Sequence, residues 1–89
     1  MESSNLFNLK PSITVVYSAA WCPDSKRAIN FFNAHRIEYE NVDIDETPQA
    51  ADFVKRLNNG KRVVPTIVLP NGDLLVEPSD AQLAEKFGA

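Results

Sequence analysis

The chain has 89 residues, of which 44% are hydrophobic and 24% are charged, so one small domain with a limited core is expected. Its formal net charge of −3 provides no basic excess for binding a nucleic-acid backbone, and no apolar run approaches the about 18 residues of a membrane span. Residues 1–5 lack the basic flank and apolar stretch of a secretory signal. We therefore expect a soluble, cytoplasmic protein with no nucleic-acid and no membrane partner.

The first half of the chain predicts a strand, a helix and a second strand. Residues 1–12 are polar and aperiodic, and we interpret them as a lead-in to a single domain over 13–89. The run 13–17 is rich in β-branched residues and nearly all apolar, which is typical of a strand covered on both faces. After it, apolar residues continue at helical spacing as far as Ile37. The alternation of polar and apolar residues over 38–44 then predicts the second strand.

The second half of the chain contains four further elements, each marked by its own start or stop signals. In order, they are a helix opened by Thr47-Pro48 and ended by Asn58-Asn59-Gly60, a strand over 63–69, a hairpin partner over 74–76 and a helix capped by Ser79 or Asp80. The hairpin follows from the turn residues 70–73 that separate the two strands.

This order, β-α-β-α-β-β-α, predicts an α/β fold. Two strands joined through a helix pair in parallel with a right-handed crossover, whereas the last two strands form an antiparallel hairpin. We therefore expect a mixed four-stranded sheet flanked by three helices, which pack on both faces.

Cys22 is the only cysteine, so the chain has no internal disulfide and its thiol is the first candidate for chemistry. Pro23 is favoured at the first position of a helix, which makes Cys22 the predicted N-cap. The unpaired N–H groups and the helix dipole at that point favour the thiolate, the nucleophilic form. Lys26 and Arg27 add to this field, whereas the carboxylate of Asp24 opposes it. The alternative is that Cys22 is a small buried hydrophobe.

Two other features can act together with the thiol. Ser25 lies one helical turn after Cys22, so its hydroxyl or N–H can donate to the sulfur; alternatively, it is an ordinary polar residue of the first turn. With serine there, a mixed disulfide on Cys22 must be resolved by an external thiol. If the bond between Val64 and Pro65 is cis, Val64 presents its backbone N–H and C=O to an extended thiol ligand. The alternative is an ordinary trans proline at the start of a strand.

Four segments, in this order and spacing, resemble the glutaredoxins of the thioredoxin superfamily. They are Trp21-Cys22-Pro23-Asp24-Ser25, Val64-Pro65-Thr66, Asn71-Gly72-Asp73 and Pro78-Ser79-Asp80. The mycoredoxins are the most similar branch, and the resemblance extends from about Ile13 to Phe87.

The resemblance implies a thioredoxin-like fold and thiol–disulfide exchange. It implies these site residues: Cys22 and Ser25 as catalytic, and Trp21, Pro23, Val64, Pro65, Ser79 and Asp80 as substrate-binding. Among these, Cys22 matches the nucleophile, Val64 the backbone clamp for a small thiol, Pro65 the cis-proline, and Ser79 and Asp80 the helix start that contacts a carboxylate. The pair Lys61-Arg62 beside the clamp can attract an anionic thiol, or it is a solvated loop pair.

The chain departs from the usual family pattern at three places. Ser25 replaces a second cysteine, Glu77-Pro78 replaces a glycine pair, and Ala19 stands where a lysine is common. The resemblance with serine at that position implies a monothiol oxidoreductase that reduces mixed disulfides between proteins and mycothiol or glutathione.

We expect a monomer whose partners are thiolated proteins and the small thiol, which serves as co-substrate, with no cofactor and no metal site. Two alternatives stay open at this point. One is an iron–sulfur cluster carrier that bridges two chains through Cys22, and the other is a catalytically silent binding module with the same fold.

Overall fold

The computed structural model describes residues 7–88. Seven elements follow one another: β1 (Thr14–Ser18), α1 (Pro23–Ala34), β2 (Tyr39–Asp43), α2 (Pro48–Leu57), β3 (Thr66–Val68), β4 (Leu74–Val76) and α3 (Asp80–Phe87). This order confirms the predicted β-α-β-α-β-β-α arrangement. Of the predicted lead-in, residues 1–6 lie outside the described range, and residues 7–12 form no helix or strand.

The four strands form one mixed sheet in the order β2-β1-β3-β4. Strand β1 is parallel to β2 and antiparallel to β3, and β3 is antiparallel to β4, as predicted. In this register Tyr17 pairs with Val42 on one side and with Thr66 on the other. The carboxyl ends of β1 and β2 therefore lie at the same edge of the sheet as the start of β3.

Helices cover both faces of the sheet, because successive side chains of β1 point to opposite sides. Val15 and Tyr17 belong to the core cluster that includes Val54 of α2. Val16 belongs to the other cluster, together with Phe32 of α1 and Leu83 of α3. All five residues of β1 are buried, which accounts for the nearly continuous apolar run in the sequence.

The ends of several elements differ from the prediction. Strand β3 contains three residues rather than the predicted run 63–69, since a proline has no N–H to donate to a sheet and the residues before it remain outside the ladder. Helix α1 ends at Ala34, so Ile37 is not helical: Arg36 adopts a positive φ of 57°, which stops the helix. Ile37 still packs against the core cluster beneath α1. The strand over 38–44 is shorter by one residue at each end.

Residues before β1 contact the domain through Phe7. Its ring packs edge-on against Phe53 of α2, with ring centroids 5.8 Å apart. Its amide N–H donates to the Tyr17 hydroxyl at 2.9 Å. Burial raises the pKa of the Tyr17 phenol above its ordinary value, so this hydroxyl stays protonated in the physiological range.

Candidate active site around Cys22

Cys22 occupies the N-cap of α1, at the end of the loop that leaves the buried strand β1. Its backbone is extended, with φ −87° and ψ 118°, and Pro23 follows at the first helical position, as predicted. The Cys22 carbonyl accepts from the Lys26 N–H at 3.1 Å and closes the first turn, while the side chain makes no capping bond. The sulfur is therefore held at the positive end of the helix dipole without being used by the helix itself.

The thiol faces the loop that leads into β3. Cys22 Sγ lies 3.8 Å from the Val64 carbonyl oxygen and donates to it. The Val64–Pro65 peptide bond is cis, as the resemblance implied, and both residues are buried. Cys22 is buried, with 7% of its surface exposed, and belongs to the core cluster that also contains Val64 and Val54.

Ser25 contacts the loop before Cys22, and this differs from the expected bond to sulfur. Its side chain is 1% exposed, and its hydroxyl oxygen accepts from the Ala19 N–H at 3.3 Å. The Ala19 carbonyl accepts from the Cys22 N–H at 3.1 Å. The sequence pattern predicted that Ser25 donates to the sulfur, whereas its hydroxyl oxygen accepts from the backbone of the loop. Ser25 therefore holds the loop that carries the sulfur.

Trp21 is exposed over 64% of its surface, next to the thiol. Its indole N–H donates to Oδ2 of Asp45 at 2.7 Å, and Oδ1 of the same carboxylate is paired with Arg62. The Asp45 N–H donates to Oδ1 of Asp43 at 2.8 Å, which fixes the loop after β2.

Sequence reasoning missed Asp45. The available signal was that Asp45 lies two residues after the end of β2, because the carboxyl ends of adjacent parallel strands share one edge of the sheet.

The start of α3 is connected to the thiol's helix through Arg27. Ser79, not Asp80, is the N-cap of α3: its hydroxyl accepts from the Gln82 N–H at 3.1 Å, and the Gln82 side chain returns a bond to the Ser79 N–H. Arg27 lies 3.5 Å from a carboxylate oxygen of Asp80 and 3.1 Å from one of Asp24. The Arg27 guanidinium thus pairs with one carboxylate at the start of α1 and with another at the start of α3.

A polar network supports the loop that contains Val64. The Thr66 hydroxyl donates to the Val63 carbonyl at 2.8 Å and accepts from the Asn58 side-chain amide at 3.2 Å. Asn58 also donates to the Val54 carbonyl at 2.9 Å, at the end of α2. These bonds attach the residue before Val64 to the core.

Within residues 7–88, no group of three or more histidine, cysteine, aspartate and glutamate side chains could hold a metal ion. Over the same residues, no helix has both the length and the apolar character needed to cross a membrane.

The chain is similar to known proteins over most of its length. A sequence model of the family described as Glutaredoxin matches residues 14–75. A protein of Mycobacterium tuberculosis, provisionally named a glutaredoxin, is 37% identical over 72 residues, which cover 81% of this chain and 86% of that protein. Mycoredoxin 1 of Corynebacterium glutamicum is 30% identical over 78 residues, 88% of this chain and 96% of that protein.

Solved structures show the same fold at lower identity. The crystal structure of a glutaredoxin from Archaeoglobus fulgidus matches with a TM-score of 0.70 at 19% identity, over 85% of this chain and 86% of that one. The holo form of glutaredoxin C1 from Populus tremula x tremuloides matches with a TM-score of 0.66 at 19% identity, over 90% and 78%. The fold is therefore thioredoxin-like, as predicted.

Proposed function

The chain belongs to the glutaredoxin family of thiol–disulfide oxidoreductases, and from this premise we propose that Cys22 alone reduces mixed disulfides between proteins and a small thiol. The small thiol, mycothiol or glutathione, is the co-substrate, and no bound cofactor takes part. The protein acts as a monomer on thiolated proteins in the cytoplasm, where a lone cysteine stays reduced.

The reaction consists of two exchanges at one sulfur. The Cys22 thiolate attacks the small-thiol sulfur of the mixed disulfide, a new disulfide forms between Cys22 and the small thiol, and the protein leaves as a thiolate that takes a proton from water. A second small-thiol thiolate then attacks the same small-thiol sulfur on the enzyme. It leaves as a symmetric disulfide and restores the Cys22 thiolate. The protein disulfide is thereby reduced and the small thiol oxidised.

One observation carries this proposal: the Cys22 sulfur sits at a helix N-cap and faces the Val64 carbonyl at 3.8 Å. The sulfur lies at the positive end of the α1 dipole, and the backbone beside it offers polar groups to an extended ligand. Because Ser25 supplies no second thiol, the adduct on Cys22 has to be resolved from outside.

The burial of Cys22 favours attack on the smaller half of the disulfide. With 7% of Cys22 exposed, a slender thiol reaches the sulfur more readily than a folded protein surface does. We assign the ligand contacts to the exposed Trp21 and Pro23 on one side, to Val64 and Pro65 at the sulfur, and to the start of α3 at Ser79 and Asp80. At this helix start the Asp80 N–H contacts the ligand, because the Ser79 hydroxyl and the Ser79 N–H both already bond to Gln82.

The experiment is turnover of a peptide that carries a mixed disulfide with mycothiol or glutathione, followed by release of the peptide thiol. Wild-type protein should transfer the small thiol to Cys22, seen as an adduct by mass spectrometry, and Cys22→Ser should form no adduct. Equal turnover by the two proteins would refute the proposal.

A further inference from the structure

Two arginines flank the candidate site, and each is already paired with aspartates of the same chain. Arg62 pairs with Asp45 on the side of Trp21. On the other side, Arg27 lies between Asp24 and Asp80. A ligand carboxylate that approaches either guanidinium therefore meets an aspartate that already occupies it.

The Asp45 carboxylate closes a ring of contacts that includes the Cys22 thiol. Its carboxylate receives the Trp21 indole N–H at 2.7 Å and also pairs with Arg62. Arg62 precedes Val64 by two residues, and the Val64 carbonyl accepts from Cys22, the residue after Trp21. This ring joins the loops after β1 and β2 to the loop before β3, with the sulfur as one of its members.

A small thiol bound at the sulfur comes close to this ring. Consecutive residues of an extended chain advance by about 3.3–3.6 Å, so the backbone of Arg62 lies within roughly 7 Å of Val64. Asp45 and Arg62 keep 36% and 42% of their side chains exposed, so a ligand can contact both. A carboxylate of the bound thiol in that space either displaces Asp45 from Arg62 or stays beside the negative charge of Asp45.

We propose that Asp45 is a specificity-determining residue, which makes the site prefer small thiols that lack carboxylates. This inference rests on the proposed function, since it concerns the small thiol that Cys22 accepts. Glutathione carries two carboxylates, whereas mycothiol, an acetylcysteine joined through an amide to a sugar, carries none. Asp45 acts through Arg62 and is a positioning residue, not a catalytic one.

The test compares two adducts that differ only in their carboxylates. One peptide is prepared as its mixed disulfide with glutathione and as its mixed disulfide with glutathione diethyl ester. The rate constant for transfer of the small thiol to reduced Cys22 is measured in single turnover, without resolving thiol. Wild-type protein should favour the ester.

The Asp45→Asn variant keeps a side-chain oxygen for the Trp21 indole and removes the negative charge. Its ratio of rate constants, glutathione over ester, should rise roughly 1.5- to 5-fold, the range expected for an exposed charge pair. In the double variant Asp45→Asn, Arg62→Gln this gain should disappear. Asp52→Asn, on the exposed side of α2, changes the net charge equally and should leave the ratio unchanged.

The results separate this inference from the proposed function. No transfer to Cys22 from any adduct refutes the proposed function itself. Transfer with the same ratio in wild type and Asp45→Asn, or an equal gain in Asp52→Asn, overturns only the role of Asp45. A gain in Asp45→Ala that is absent from Asp45→Asn also overturns it, because the effect would then come from the freed Trp21 ring and not from charge.

Discussion

The Cys22 thiol and the Val64 carbonyl lie opposite each other, 3.8 Å apart, although 42 positions separate the two residues in the chain. Antiparallel pairing of β1 with β3 brings them together, because Tyr17 near the end of β1 is paired with Thr66 at the start of β3. The loop that follows β1 and the loop that precedes β3 are therefore neighbours. The site depends on this register and on the side chains that hold the two loops.

Ser25→Ala removes the acceptor of the Ala19 N–H. That donor lies in a buried segment, and leaving it unpaired should lower the free energy of unfolding by about 1–3 kcal/mol. Because the same loop carries Cys22, adduct formation should slow as well. Urea unfolding measures the first effect and single-turnover transfer the second. A variant with unchanged stability would contradict the positioning role of this hydroxyl.

Thr66→Val removes the hydroxyl that connects Val63 to Asn58. The Val63 carbonyl and the Asn58 amide each lose a partner, so we expect a loss of about 1–3 kcal/mol in urea unfolding. Displacement of the neighbouring Val64 should also slow thiol transfer, by up to roughly tenfold. Thr66→Ser keeps the hydroxyl and serves as the matched control. Equal transfer rates in Thr66→Val and Thr66→Ser would argue against this network.

The pair of Asp73 and Lys86 should make stability depend on pH. Hydrogen bonds from Lys86 and Asn71 lower the pKa of the Asp73 carboxyl in the folded protein. Its stabilising contribution is complete above the ordinary pKa of about 3.9 and is lost as the pH falls through the lower, folded value.

Wild type should thus exceed Asp73→Asn in urea midpoint at pH 7, and the gap should close below about pH 4. Asp52→Asn is a control, because Asp52 is exposed on α2. A gap between wild type and Asp73→Asn that stays constant down to pH 2 would count against the ion pair.

Anaerobic incubation with iron, sulfide and a small thiol should leave the protein colourless and monomeric. A cluster held by four thiolates would take one sulfur from each of two chains, and here Cys22 is buried and Asp24 follows it by two residues. Absorption spectra and size-exclusion chromatography provide the measurement. Visible absorbance that accompanies dimerisation would support the cluster-carrier alternative instead.

Local signals were sufficient for the element order and for the location of the thiol. Pro23 marked the start of α1 and thereby the N-cap, and the apolar run before it marked the central strand. The positions where the prediction failed depend on the surroundings. Helix α1 ends before Arg36, which adopts a positive φ that an arginine does not signal. The apolar spacing alone therefore extends the predicted helix too far, to Ile37.

Site contacts that depend on tertiary structure were harder to predict. Ser25 was placed on the correct helix face, but its partner is a loop amide whose position no periodicity encodes. Asp45 was missed because its importance arises only when the parallel register brings it beside Trp21 and Arg62.

The contacts of Phe7 bear on how a shortened version of this protein is designed. A fragment that begins at residue 13 keeps every strand and helix, yet it removes the ring that packs on Phe53 and the amide that donates to the Tyr17 hydroxyl. The strand bearing Tyr17 leads directly into the loop of Cys22. Deleting residues 1–12 would therefore destabilise the end of β1 that leads into the loop of Cys22.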